Sequence, residues 1–418
     1  MVYKTKFYGS RDIIAPKCLY PTFFSYLGIC REITDMHSIK AIFKSFLAFI
    51  FVGVVACSCV YDYEPKDARV QGLGKPLVVI DGDIIVGGIT RVKVGFTQSL
   101  AAAEEVFPLG TNVWVESGNG EVISGRVLVD EINCFEVNTE GLDMQGRYRL
   151  GVSIPGRGEY ISRFGDVMVS PPIDDITWSI SRDGTYVNVE VTTHNTEKEK
   201  LYCKWSYTEN WESPAVIEPS AEYIPYKGNN GLRYLAPDEI LERSKCWSEA
   251  VSTDVCIANT EKLSENLISK SVIKRIADTD TRAMALYAIT VTQKALDQEA
   301  YRYWDALKRN TGSIGGIFSE QPTELRGNIV SATNPDEVVV GYISVTTSTN
   351  MRKFIDWEDV DLYKPGCSSV QFEGLWDAKY QQGYRVYAID EGFPWWSYHR
   401  CVDCRVYSNS TRPDFWPR

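Results

Sequence analysis

The strongest regularity along the chain is an alternation of apolar and polar positions with period two, interrupted every few residues by turn formers. Arg91-Val92-Lys93-Val94-Gly95-Phe96 alternates as a half-buried strand must, because successive side chains leave opposite faces of a pleated backbone. Residues 77–84, 112–116, 121–125, 148–152 and 158–162 extend the series. Gly118-Asn119-Gly120 supplies a hairpin turn, and Ser170-Pro171-Pro172 a boundary. Short strands at this spacing predict a β-sandwich over 76–170. Residues 176–180, 186–191, 202–207 and 286–293 repeat the pattern and predict a second sandwich, of fibronectin type III character, over 173–345. Within it, 237–280 reads as an insertion with helical pieces. The strand expected at 338–345 falls at its end. The clearest helix is 296–309, where Leu296, Ala300, Tyr303, Trp304 and Leu307 share one face, Asp297 can cap the start and Gly312 follows the end. The expected fold is therefore mainly β: tandem immunoglobulin/fibronectin III-like β-sandwiches with a helical insertion and a cysteine-rich, aromatic C-terminal extension over 346–418.

One segment breaks the pattern. Residues 36–59 read MHSIKAIFKSFLAFIFVGVVACSC, with Lys40 and Lys44 ahead of an apolar run over 46–55 and small residues after it. That is the layout of a secretory signal. The run is shorter than the roughly 20 residues needed to cross ~30 Å of hydrocarbon. Val54-Val55-Ala56-Cys57 resembles a lipobox, which implies cleavage before Cys57 and its acylation. Cys59 is the rival anchor, and an ordinary signal with two incidental cysteines is the alternative. On this reading 36–56 is the signal, 57–75 a tether, and 1–35 a stretch ahead of the true start at Met36. The acidic residues just after Cys57, Asp62, Glu64 and Asp67, resemble a surface-export signal; a plain solvated linker is the alternative.

A net charge of −11 without a basic stripe argues against a nucleic-acid surface. Only His37, His194 and His399 carry imidazole, which argues against histidine catalysis or a multi-histidine metal site. No cofactor and no metal are expected. Cysteines beyond the anchor suit an exported, oxidising setting. Cys246, Cys367, Cys401 and Cys404 are the expected structural disulfide cysteines, with connectivity open. His399-Arg400-Cys401-Val402-Asp403-Cys404 can also be read as a zinc or redox site. Trp376, Trp395, Trp396 and Tyr398 are candidate interaction aromatics, with packing around the disulfides as the alternative.

Several stretches occur together in order: Val79-Ile80-Asp81-Gly82, Ala300-Tyr301-Arg302-Tyr303-Trp304, Gly315-Gly316-Ile317-Phe318, Gln321-Pro322, Arg326-Gly327-Asn328-Ile329, Val340-Gly341-Tyr342-Ile343, Cys401-Val402-Asp403-Cys404-Arg405 and Arg412-Pro413-Asp414-Phe415-Trp416. This set resembles the Bacteroidota outer-membrane lipoproteins of the domain-of-unknown-function family numbered 4249, across the mature chain. Tyr407-Ser408-Asn409-Ser410 departs from the glycine-rich turn expected after the cysteine pair. The resemblance implies a sandwich-rich fold, proximity to TonB-dependent outer-membrane receptors, and no catalytic residues. The expected function is that of a non-catalytic, surface-facing outer-membrane lipoprotein. It would serve such a receptor as an accessory or ligand-binding partner in nutrient uptake, with a glycan or peptide as ligand. A carboxylate-based surface glycosidase is the rival, with Asp356, Glu358, Asp359 and Asp361 as candidate acids. A structural or adhesion role is the third reading.

Overall fold

The computed structural model of the chain describes residues 76–97, 108–196, 199–312, 326–357, 366–408 and 411–417. The signal segment, Cys57, Cys59, the tether, the 315–322 motifs and Glu358, Asp359 and Asp361 lie outside them. The described chain is mainly β, and its strands pair into two sandwiches, a small three-stranded sheet and two two-stranded ribbons.

The first sandwich stacks two sheets on one core. In one sheet the strands run Val339–Val340, Val78–Gly82, Ile89–Phe96, Cys134–Asn138 and Arg126–Val127. In the other they run Ile329–Ser331, Gly158–Ser162, Arg147–Ile154, Asn112–Ser117 and Val122–Ser124. Inward alternation puts Val92, Val94, Val113, Val115, Leu150 and Val152 between the sheets. The Gly118-Asn119-Gly120 turn closes the expected hairpin, with Glu116 opposite Val122.

Residues 326–346 differ from expectation: they belong to this first core, not the second. Val339 pairs in parallel with Val78, and Ile329 pairs with Ser162. The motif glycines explain how. Gly341 sits at φ +139, and a β-carbon there would strike the Ile80 carbonyl oxygen; one on Gly327 would strike that of Gly341. Only glycine lets three backbones approach this closely. Buried Asn328 then imitates a strand partner, its side-chain amide donating to Ile343 O and its Oδ1 accepting from Ile343 N, both at 2.8 Å.

The second sandwich has a three-stranded sheet, Ile173–Ile180, Tyr186–His194 and Leu267–Ala277. It faces a sheet ordered Lys245–Val251, Tyr202–Pro214, Leu286–Ala295 and Ser348–Asp356. Trp205, Tyr287, Ile289 and Val291 fill the space between. In the expected insertion only Pro237–Ser244 is α-helical. Strands at Lys245–Val251, Cys256–Asn259 and Leu267–Ala277 make up most of the remainder, and the last keeps Ile268, Ile273 and Ile276 inward. The Gln298–Gly312 helix is capped by Asp297, whose Oδ1 accepts from Ala300 N at 2.7 Å. Its Ala300, Tyr303 and Trp304 pack on Tyr202, Ile257 and Tyr342.

The two sandwiches meet at a buried charge. Lys204 and Lys294 are directly opposed cross-strand partners, an arrangement that repels on its own. Asp83 of the first sandwich lies between them, its Oδ2 accepting from both ammonium groups at 2.9 Å. The Lys204 ammonium also stands 3.9 Å from the centroid of the Trp304 ring. Burial works to raise the Asp83 pKa, but the two lysines override it and hold the carboxyl well below the usual range. Three motifs that looked scattered in sequence thus converge. Asp83 directly follows Val79-Ile80-Asp81-Gly82. Trp304 and Tyr303 come from the helix, and the Tyr303 hydroxyl is hydrogen-bonded to the backbone of Gly341.

Candidate functional site

The C-terminal extension and a hairpin that precedes the expected insertion build one aromatic module. The Ala221–Tyr223 and Leu232–Tyr234 hairpin packs against a sheet ordered Val370–Gln371, Phe393–Tyr398 and Tyr384–Asp390, with the short helix Trp376–Gln381 beside it. Two disulfides fix it. Cys367 pairs with Cys401 inside the module, and Cys246 pairs with Cys404 to tie the module to the edge of the second sandwich. The Cys401-Val402-Asp403-Cys404 cysteines therefore serve two separate staples rather than one redox pair. Among the described residues the cysteines left over, Cys134, Cys203 and Cys256, are buried thiols. Burial pushes them up to about 11, 12 and 11 respectively, away from the reactive thiolate. In the native chain with intact disulfides, iodoacetamide should leave all three unmodified for hours and label them on unfolding in urea. Peptide mass spectrometry reads this directly.

The candidate aromatics divide by burial. Trp396 is fully buried among Tyr223, Phe372 and Trp376, at ring distances of 5.6, 6.0 and 6.5 Å, so it holds the module together and cannot meet a partner. Trp376 joins that cluster half-buried, its Nε1 donating to Phe372 O. Trp395 is half-buried on the sheet. Tyr398 is exposed and stacks on Tyr384 at 4.5 Å. Because one face of the ring already meets solvent, Tyr398→Ala should cost about 1 kcal/mol or less in urea unfolding. Of the acidic run, only Asp356 is described; it ends the Ser348–Asp356 strand as an exposed side chain. Among the described residues no group of three His, Cys, Asp or Glu side chains is arranged to hold a metal ion.

Where the module, the tail and the second sandwich meet, a groove of about 790 Å³ opens. Its walls are Leu241 and Glu242 of the Pro237–Ser244 helix, Lys245, Cys246 and Trp247 of the adjoining edge strand, and a tail contributing Arg405, Ser408, Arg412 and Trp416. The sequence lays the tail there through aromatic contacts. The Trp416 ring meets Phe354 edge-on at 5.8 Å, and Arg352 lies 3.5 Å over Phe415. Neighbouring strand residues point to opposite faces, so Cys246 and Trp247 together show that the groove runs around the strand's edge. Two rim cations are matched: Lys245 pairs with Glu212 at 3.2 Å, and Arg405 with Asp403 at 2.8 Å and Glu242 at 3.6 Å. Burial would raise the Asp403 pKa, yet hydrogen bonds from His399 and Arg405 hold it well below the usual range. This groove draws on three separated segments, and no single stretch of sequence signals it. A larger cleft of about 1050 Å³ lies at the hairpin end of the first sandwich. Its lining is more polar than the groove's, and Asn119, Asn138 and Asp143 there accept from neighbouring backbone N–H groups, so the apolar groove is the stronger ligand site.

No curated protein matches the chain. Among solved structures it is similar to a DUF4785 family protein from Legionella pneumophila subsp. pneumophila str. Philadelphia 1, at 12% identity and TM-score 0.17, covering 52% of each chain. It is also similar to native E. coli alpha-2-macroglobulin, at 10% identity and TM-score 0.17, covering 54% of this chain and 13% of that one. The chain thus spans about half the length of the first and a smaller part of the second. The family model for a domain of unknown function, DUF4249, matches residues 61–352, a range that takes in the first sandwich, the junction at Asp83 and all of the second sandwich but the end of the Ser348–Asp356 strand, and the chain belongs to that family.

Proposed function

We propose that the protein is a non-catalytic lipoprotein of a Bacteroidota outer membrane, anchored through Cys57 and facing the cell surface. It serves there as the ligand-binding partner of a TonB-dependent receptor in nutrient uptake. The observation that carries this reading is the groove: an apolar, cation-rimmed concavity beside the Cys246–Cys404 disulfide, where the aromatic module meets the second sandwich. Ligand sites favour such junctions, lined by apolar and aromatic groups with few polar ones. A lipid at Cys57 followed by an acidic tether would confine the groove to the plane of the receptor and raise its effective concentration there.

Metabolic labelling with radioactive palmitate tests the anchor on which the reading depends. The wild-type chain and Cys59→Ala should carry label in the outer-membrane fraction, and Cys57→Ala should not. Label retained in Cys57→Ala but lost in Cys59→Ala would move the anchor, and label in none of the three would overturn the lipoprotein assignment.

A further inference from the structure

The groove's chemistry also points to a class of ligand, given that the protein is a binding protein. The lining carries Lys245, Arg405 and Arg412 against the single acid Glu242, in a chain whose net charge is −11. Lys245 and Arg405 already have carboxylates. Arg412 does not: among the described residues its guanidinium reaches only the carbonyl oxygens of Trp416 and Pro417, at 3.3 and 3.2 Å. An arginine spends five donors in a fixed fork, and two long bonds to neutral carbonyls leave that fork largely unspent. Beside it lies Trp247, with its ring centroid 6.0 Å from the Arg412 Cζ and its Nε1 buried and unpartnered. Leu241, the Cys246 sulfur and Pro417 complete the apolar wall.

We propose that this groove binds a small amphiphilic monocarboxylate, its aryl or alkyl body against Leu241, Trp247 and Trp416 and its carboxylate forked onto Arg412. Arginine takes a carboxylate through two parallel N–H···O bonds, and these are roughly twice as strong as bonds between neutral groups. The volume suits a body of drug-like size. An extended peptide fits less well. The hydroxyls of Ser248 and Ser408 are hydrogen-bonded, which places the tail against the Lys245–Val251 strand just beyond the groove. Only the first residues of that edge remain open for pairing.

Titration calorimetry on the folded, disulfide-intact chain tests this with naphthalene-2-acetate and its neutral isostere naphthalene-2-acetamide. The acid should bind at least tenfold more tightly than the amide. Arg412→Ala should erase that preference, bringing acid and amide to equal affinity, and Arg412→Lys should keep part of it. Leu241→Asp should weaken both probes. Equal affinities in the wild type, an acid preference that survives Arg412→Ala, or no binding of either probe would overturn the proposal. Tighter binding of an extended acidic peptide than of either probe would overturn it too, in favour of strand addition. None of these outcomes bears on receptor association, which is measured separately.

Discussion

Replacing Asp83 with alanine should destabilise the protein by about 3–5 kcal/mol, the cost of leaving buried charge without its partner. Asp83 is 2% exposed, and its loss would leave the Lys204 and Lys294 ammonium groups facing each other across adjacent strands with nothing between them. The damage should fall on the junction as well as the total. Urea unfolding should become less cooperative, because the carboxylate shared by the two sandwiches no longer adds to their coupling. Replacing the lysines with methionine in the Asp83→Ala background should recover most of the loss, since a buried ion cluster and a packed apolar one are often similar in stability. The pH dependence follows from the direction of the shift. The folded-state pKa of Asp83 is depressed, so its contribution is complete above the ordinary aspartate pKa near ~3.9 and is lost only as pH falls through the lower folded value. The Asp83 carboxylate should therefore contribute the same stability at every pH between 5 and 8, and a stability change confined to that window in wild type but absent in Asp83→Ala would refute this.

The second large effect concerns the Cys246–Cys404 staple. It closes a loop of 158 residues, and the chain-entropy relation assigns such a cross-link on the order of 5 kcal/mol. The Cys246→Ser, Cys404→Ser double variant should therefore lose several kcal/mol. The corresponding pair at Cys367 and Cys401, 34 residues apart, should lose about 1.4 kcal/mol less. The two double variants should also differ functionally. Cys246 lines the groove, so removing its bridge should abolish ligand binding while the sandwich cores stay folded by near-ultraviolet circular dichroism. Equal losses from the two pairs would mean that constraint of the unfolded chain is not what these disulfides supply.

How much of this was legible beforehand depends on the range of the interaction. Period-two alternation marks the strands of both sandwiches because each strand's burial is a local property, and 296–309 shows its helix for the same reason. The placement of 338–345 was not legible. Val339 pairs in parallel with Val78 across most of the chain, and an apolar run says nothing about which sheet receives it. Glycines did carry a signal: Gly327 and Gly341 stand where three backbones touch. Asp81 and Asp83 inside an otherwise apolar run were a further clue, since an acid there needs a buried partner. Lys204 and Lys294 looked like the polar half of ordinary alternating strands. Trp396 and Tyr398 lie two residues apart in one dense aromatic stretch, yet one is the module's centre and the other its surface. Trp396 lies under the Ala221–Tyr223 strand and Tyr398 ends its own strand beyond that cover, a difference that composition does not carry.

The proposed role is to hold a ligand beside a receptor rather than to transform it. The most direct measurement is cross-linking in intact cells, followed by affinity purification from outer membranes and mass spectrometry. A TonB-dependent receptor should be recovered in near-stoichiometric amount with the wild-type chain and be lost with Cys57→Ala, which leaves the folded domains intact but untethered. Recovery of the anchored chain alone, or with a partner that has no part in uptake, would contradict the account.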